Sequence, residues 1–269
     1  MATILAISSH VARGSVGLAA TVPALQWLGP EVWALPTVLL ASRPGLGGLT
    51  RHDLPPADLA AMLAALEADG CWGSLDAVLT GYFPSAASVV AAAEAVRRIK
   101  EAAPGIPVLV DPIVGDAGRL YVAEATATAI RDALLPLATI ATPNLFELHW
   151  LAGLRPWEGD RAVPVRIARG LGVPTVVVTS AVETSGSIAT LLVTDRTAAE
   201  RGIARRNGIP NGAGDLLAGL LLGHLLHGGT VESALAAALA DIDRVLAASV
   251  ARDVLHLPAL NGQPGDRRK

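Results

Sequence analysis

A three-layer α/β/α sandwich with a largely parallel central sheet is the fold class this sequence predicts, on three observations. Short β-branched and aliphatic runs alternate with longer helical stretches along the chain, the pattern of repeated crossover units. Those short runs are apolar at successive positions, as strands covered on both faces must be. Ser9, Tyr82, Asp111, Asn144 and Thr179 each follow such a run, and the carboxyl edge of an open parallel sheet is where ligands bind.

Taken in order, Thr3 to Ser8 reads as a buried strand ending in Ser8-Ser9-His10-Val11. Arg13-Gly14-Ser15-Val16-Gly17 then leads into a helix through about Leu28. Val32 to Leu35 and Thr37 to Leu40 suggest a strand interrupted near Pro36, with a Gly/Pro-rich loop from Ser42 to Gly48. Pro55-Pro56 starts a helix reaching Asp69, since proline is tolerated in a first turn. Ala77–Thr80 is a strand ending at Gly81-Tyr82, Ser85 to Lys100 a helix, and Val108–Val110 a strand ending at Asp111. Val122 to Leu134 is helical, Thr139–Ala141 is a short strand, and another helix begins at Pro143-Asn144. Val176–Val178 is a strand ending in Thr179-Ser180, and Ile188 to Val193 should pair with a segment near Ile203. Two helices close the chain, about Asp215–His227 and Val231–Ala251. No linker or repeat divides it, so residues 1–260 are read as one domain and 261–269 as a polar, frayed tail.

Composition narrows the partners. The chain has 269 residues, 52% hydrophobic but only 3% aromatic, so its core is aliphatic. Charged residues are 17% and the net charge is −3, and Arg205-Arg206 and Arg267-Arg268-Lys269 are too short to form a basic patch. Nucleic acid is therefore not an expected partner. Cys71 is the only cysteine, which excludes an intramolecular disulfide and a cysteine-rich metal site. No basic segment precedes the first apolar run. The longest such run, Leu216 to Gly223, is short of the roughly 20 residues a membrane span needs. A soluble, cytoplasmic protein is expected.

The chemistry centres on Asn207-Gly208-Ile209-Pro210-Asn211-Gly212-Ala213-Gly214-Asp215, which opens into the apolar helix from Leu216. Gly212 and Gly214 are expected to adopt angles closed to other residues, so that N–H groups converge at a helix N-terminus and favour an anion. Asp215 is then either a helix-end charge or the group that orients a hydroxyl attacking a bound phosphate. Asp111-Pro112-Ile113-Val114-Gly115-Asp116 is either a turn with Asp side chains on nearby backbone or an oxygen-ligand site for Mg²⁺. In Thr142-Pro143-Asn144-Leu145-Phe146-Glu147, the spacing leaves a capping box and a phosphate-side role equally open.

These fragments, in this order, resemble the pyridoxal kinases of the ribokinase-like superfamily. The resemblance is carried by Ser9-His10-Val11-x-Arg13-Gly14-x-Val16-Gly17, Thr80-Gly81-Tyr82 and Asp111–Asp116 with Leu120-Tyr121-Val122. Thr142-Pro143-Asn144-x-x-Glu147, Val178-Thr179-Ser180 and Gly212-Ala213-Gly214-Asp215 complete it. It implies ATP-dependent phosphorylation of the 5′-hydroxymethyl group of pyridoxal, and of pyridoxine or pyridoxamine in some members. By the same resemblance Asp215 is the catalytic base, and Gly212, Ala213 and Gly214 hold the transferring phosphoryl group. Asp111, Asn144 and Glu147 serve Mg²⁺, mostly through water, and Asp116, Tyr121, Thr142, Thr179 and Ser180 face the nucleotide. Ser9, Val16, Arg43, Tyr82 and Asp215 line the vitamer pocket. Family members are usually homodimers, use Mg²⁺ and often K⁺. Two departures stand out. Ser42-Arg43-Pro44-Gly45-Leu46 replaces an Asn-His-Thr-Gly-Tyr-like segment, and Ala213 stands where Thr is frequent. No insertion is large enough for the β-lid of the sugar-kinase branch, which favours a vitamin-type substrate. A hydroxymethylpyrimidine or related heterocyclic-alcohol kinase, and a non-catalytic ligand-binding relative, are the alternatives. Asp215 is expected to be held low by the helix N-terminus and raised by a neighbouring γ-phosphate.

Overall fold

The computed structural model describes residues 1–46, 50–154 and 162–261. Part of the expected loop (47–48) and the expected tail beyond 261 lie outside the described residues. The chain runs β1 (Thr3–Arg13), α1 (Leu18–Trp27), β2 (Glu31–Ser42), β3 (Arg51–Asp53), α2 (Pro56–Ala68), β4 (Ala77–Thr80), α3 (Ala86–Ala102) and β5 (Val108–Val110). It continues with a small hairpin, β6 (Gly115–Asp116) and β7 (Arg119–Leu120), then α4 (Glu124–Ala129), β8 (Ile140–Ala141), α5 (Leu145–Leu151) and α6 (Ala162–Gly170). β9 (Thr175–Glu183), β10 (Ser187–Thr194), β11 (Ala198–Ala204), α7 (Ala213–Leu226) and α8 (Val231–Ala247) complete it.

Among the described residues, one sheet has the order β11-β10-β9-β8-β5-β4-β1-β2-β3. Its centre, from β9 to β2, is parallel, while β3 and the β9–β10–β11 meander pair antiparallel. Alternation along the strands assigns the two faces. Leu5, Ile7, Val78, Val108, Val110, Val176 and Val178 pack with α2 to α6 on one side. Ile4, Ala77, Leu79, Leu109, Ile140 and Val177 pack with α1, α7 and α8 on the other. No helix of the described residues is long and apolar enough to cross a membrane.

Four sequence expectations need correction. β2 is continuous through Pro36, which pairs with Ser8 of β1 where β3 has not yet joined the other side, so a missing N–H is tolerated there. β1 and β9 do not stop at Ser8 and Val178. β1 runs on to pair with β2 as far as Ser42, and β9 runs on because β10 needs an antiparallel partner. Both strands pass an irregularity there, between Ser8 and His10 in β1 and opposite Ala189–Leu191 in β9, so Ser9 and Thr179 sit at kinks rather than beyond strand ends. The helix expected through Leu134 is α-helical only to Ala129, then widens into a π-turn and tightens into a 3₁₀ turn by Leu137. α8 stops at Ala247, and Ala251 takes a left-handed φ of 58°. β3 and α6 are additions the sequence reading does not anticipate; Pro164 looks like a breaker but stands in the first turn of α6.

α7 is the central helix of its layer. Every residue from Leu216 to Gly223 is buried, because the sheet, α1 and α8 surround it. Its fit to α1 depends on a glycine: a Cβ on Gly219 would lie 3.1 Å from the Thr21 carbonyl oxygen and 3.3 Å from Ala24 Cβ. Gly219→Val should therefore push α1 outward and cost about 1–3 kcal/mol by overpacking. Thermal denaturation checks this, with an expected fall of about 2–4 °C in Tm per kcal/mol for a chain of this size.

Candidate active site

The carboxyl ends of β4, β5 and β8 present Gly81-Tyr82, Asp111 and Thr142 side by side. Asp111 is buried, and one of its carboxylate oxygens accepts a 2.9 Å hydrogen bond from the Thr142 hydroxyl. Glu147 is buried as well. Its Oε1 accepts the N–H groups of Val114 (3.0 Å) and Gly115 (3.3 Å), and its Oε2 accepts that of Asn144 (2.9 Å). In return the Asn144 Oδ1 accepts the Glu147 N–H, and the Asn144 side-chain amide donates to the Gly115 carbonyl at 2.8 Å. The capping box is thus real, and it does more than end a helix. It ties α5 to the loop after Asp111.

The glycine loop arrives from the opposite end of the sequence. Gly212, at φ 114°, caps α7, and a Cβ there would stand 1.8 Å from the Ser15 carbonyl oxygen. No other residue fits. Gly214 does not behave as expected: it lies within the first turn of α7, its φ is not positive, and a Cβ would meet open space. What it supplies is clearance, which leaves the N–H groups of that turn approachable by an anion. Asp215 follows in the same turn, partly buried, with the Gly17 N–H bonded to its carboxylate and the Thr21 hydroxyl on its carbonyl oxygen at 3.2 Å.

Electrostatics bind these groups into one site. Burial pushes the Asp111 carboxyl up to about 8, with the neighbouring Asp215 charge as the second cause and the Thr142 bond opposing. Burial also raises Asp215, to about 6, against the Gly17 N–H and its own. The direction is opposite to the one expected from the helix N-terminus alone, because desolvation outweighs these backbone N–H donors. Glu147 is raised by burial and then by Asp111, against its three backbone N–H donors.

Tyr82 is gripped at its backbone: its N–H bonds Ser8 Oγ at 3.0 Å, and its carbonyl accepts the Thr37 hydroxyl at 2.7 Å. The Arg51 guanidinium stands 5.9 Å from the centre of its ring. Ser9 faces Gly17 and Val16 is partly buried beside them. Thr179 bridges to Asn144 through a 2.9 Å bond from its N–H to the Pro143 carbonyl, and Ser180 has a left-handed φ of 49°. Ala213 is the first residue of α7. Asp116 does not join Asp111. It is exposed in the β6–β7 turn, where its carboxylate accepts the Ala117 N–H at 2.7 Å, because the two-residue turn demands positive φ at Ala117 and Gly118. Tyr121 is half exposed beyond that hairpin, within electrostatic range of Asp116 and Glu147. Arg43 turns its guanidinium to the Asp253 carbonyl instead.

Sequence reasoning did not single out Gly17 as the donor to Asp215, Ser15 as the backing of Gly212, or Arg51 over Tyr82. Only Gly17 carried a signal, as part of the motif after β1. The donors suit an anion with a hard cation. Among the described residues no three His, Cys, Asp or Glu side chains gather to cage a metal. Both Glu147 oxygens are engaged by N–H groups, so of these two buried carboxylates Asp111, bonded only by the Thr142 hydroxyl, is the one with capacity left for a hard cation.

The sequence matches the phosphomethylpyrimidine kinase family over residues 14–259. It is 36% identical over 267 residues to a pyridoxal kinase PdxY of Rubrobacter xylanophilus, covering 97% of this chain and 92% of that one. It is 35% identical over 259 residues to a pyridoxine/pyridoxal/pyridoxamine kinase of Bordetella avium, covering 94% and 88%. The fold superposes on a pyridoxal kinase of Leishmania donovani in complex with ADP and pyridoxamine with a TM-score of 0.88 at 27% identity, covering 97% and 96% of the two chains.

The raised acidity constant of Asp111 sets a pH signature. Between about 4 and about 8 the folded chain keeps a proton that the unfolded chain releases, so stability falls as pH rises through that window. Asp111→Asn keeps an acceptor for Thr142 and cannot ionise. In the nucleotide-free protein it should match wild type near pH 4 and melt higher at pH 8, as read by Tm across a pH series.

Proposed function

The chain belongs to the phosphomethylpyrimidine kinase family, and within it we propose a pyridoxal kinase that moves the γ-phosphoryl group of ATP to the 5′-hydroxymethyl oxygen of pyridoxal. The relatives of about 35% identity are pyridoxal kinases along nearly their whole length, which supports that substrate over a pyrimidine. One observation carries the chemistry: the Asp215 carboxylate stands in the glycine-capped first turn of α7, in electrostatic range of Asp111 at the end of β5.

The first turn of α7, cleared by Gly214 and capped by Gly212, stabilises the charge of the transferring group through N–H donors that need no reorganisation. The pyridoxal hydroxyl oxygen forms its bond to the γ-phosphorus as the bond to the β–γ bridging oxygen of ATP breaks, and ADP leaves. Asp215, mostly ionised at neutral pH, orients that hydroxyl and accepts its proton. Bound Mg²⁺ would neutralise phosphate charge in this site. Asp111 would hold it, while Glu147 and Asn144 keep the surrounding backbone in place. Thr142, Thr179 and Ser180 lie on the nucleotide side, Tyr121 and Asp116 at its rim, and Ser9, Val16 and Tyr82 on the vitamer side. The reading includes a homodimer working in the cytoplasm, where ATP is at hand; sedimentation velocity tests the dimer.

The decisive assay follows ADP release with MgATP and a panel of pyridoxal, pyridoxine, pyridoxamine and hydroxymethylpyrimidine. Pyridoxal should be turned over. Silence on all B6 vitamers beside an active pyrimidine would replace this reading with the hydroxymethylpyrimidine kinase, and nucleotide binding without ADP release would point to a non-catalytic relative. Asp215→Ala should lower kcat by about 10²–10⁴-fold, the range of a lost general base, with nucleotide affinity nearly unchanged.

A further inference from the structure

Arg43 sits in the loop after β2, against the turn between β1 and α1, and its guanidinium is turned toward the segment after α8. Its Nε and Nη2 both donate to the Asp253 carbonyl oxygen, at 2.9 and 2.7 Å, and its Nη1 donates to the Pro44 carbonyl at 3.0 Å. All three nitrogens are occupied. The side chain reaches Asp253 by crossing Gly14, where a Cβ would come within 2.9 Å of Arg43 Cβ and where φ is 136°. The Arg43 N–H also bonds the Arg13 carbonyl at 2.9 Å.

The segment it grips, 251–256, is a strap laid along the turns that precede α1 and α7. The Ala251 N–H bonds the Gly208 carbonyl at 3.1 Å, at the start of the glycine loop. The Leu255 carbonyl accepts the Ser15 hydroxyl at 3.3 Å, and Leu255 Cδ1 lies 3.2 Å from where a Gly212 Cβ would be. One stretch of backbone therefore touches the vitamer-side loop, the turn before α1 and the glycine loop. The Arg13–Asp253 ion pair at 3.2 Å is exposed on both sides and contributes little. The forked bond of Arg43 to a neutral carbonyl is the firmer link, and its geometry suits a planar guanidinium that lysine cannot imitate.

We propose that Arg43 is a positioning residue: its forked bond to the Asp253 carbonyl clamps the vitamer-side loop to the 251–256 strap, and so sets the affinity for the acceptor alcohol. This rests on the kinase reading above. It also assigns the strap, at the far end of the chain, a part in substrate selection.

The test compares Arg43→Ala and Arg43→Lys with wild type in two arms. Steady-state kinetics should show the KM for pyridoxal raised roughly tenfold in both variants, the scale of one lost charge-assisted hydrogen bond. The KM for MgATP and kcat should stay within about twofold, the pattern of lost substrate binding. Amide hydrogen exchange of the substrate-free protein should quicken in both 42–46 and 251–256. A lysine variant with wild-type KM would overturn the proposal, since charge alone would then suffice and Arg43 would be a direct substrate ligand. Unchanged exchange in the two segments would overturn it as well. Should wild type fail to phosphorylate any B6 vitamer, the kinase reading falls while the exchange arm still decides the clamp. If Arg43→Ala does not fold, Arg43→Lys carries both arms.

Discussion

The approach of the Ser15 carbonyl to the α-carbon of Gly212 is the contact on which the site depends. It joins the turn before α1 to the turn before α7, at a separation that admits no side chain. Everything nearby follows from it. The N-termini of α1 and α7 lie together, the Gly17 N–H reaches the Asp215 carboxylate, and the Thr21 hydroxyl reaches the Asp215 carbonyl. Gly219 continues the same seam one step deeper, against Thr21 and Ala24. Small residues here set the distance between two helices, and that distance places a carboxylate.

The second organising feature is a set of three carboxylates at one sheet edge, all held above their ordinary acidity constants by burial. Buried like charges oppose folding, and such strain gathers at functional sites. The chain offsets it with backbone donors: Val114, Gly115 and Asn144 on Glu147, and Gly17 on Asp215. Asp111 has a hydroxyl instead, from Thr142, and it is the one pushed furthest toward neutrality among the groups with assigned values.

Much of the fold was legible because its signals are local. Ala77–Thr80 and Val108–Val110 are strands with the bounds their apolar runs suggest, and Ser85, Asn144 and Thr230 cap helices as their side chains allow. The misreadings share a cause. Ser9 and Thr179 looked like strand ends because local sequence shows where a hydrophobic run weakens, not which neighbour still needs pairing on the far edge. Asp116 looked like a partner of Asp111 because five positions are close in sequence, whereas a hairpin turns it outward.

The sequence by itself determined the alternation of layers, the ordered motifs at the sheet's carboxyl edge and the glycine loop before α7, since each is written in residue type and spacing. Tertiary structure decided what those residues touch. It alone showed that burial raises Asp215 against its backbone N–H donors, that both oxygens of Glu147 are spent on backbone, and that Arg43 reaches across to Asp253. The reason is physical: desolvation and hydrogen bonding depend on groups brought together from distant parts of the chain, and no local window contains both partners.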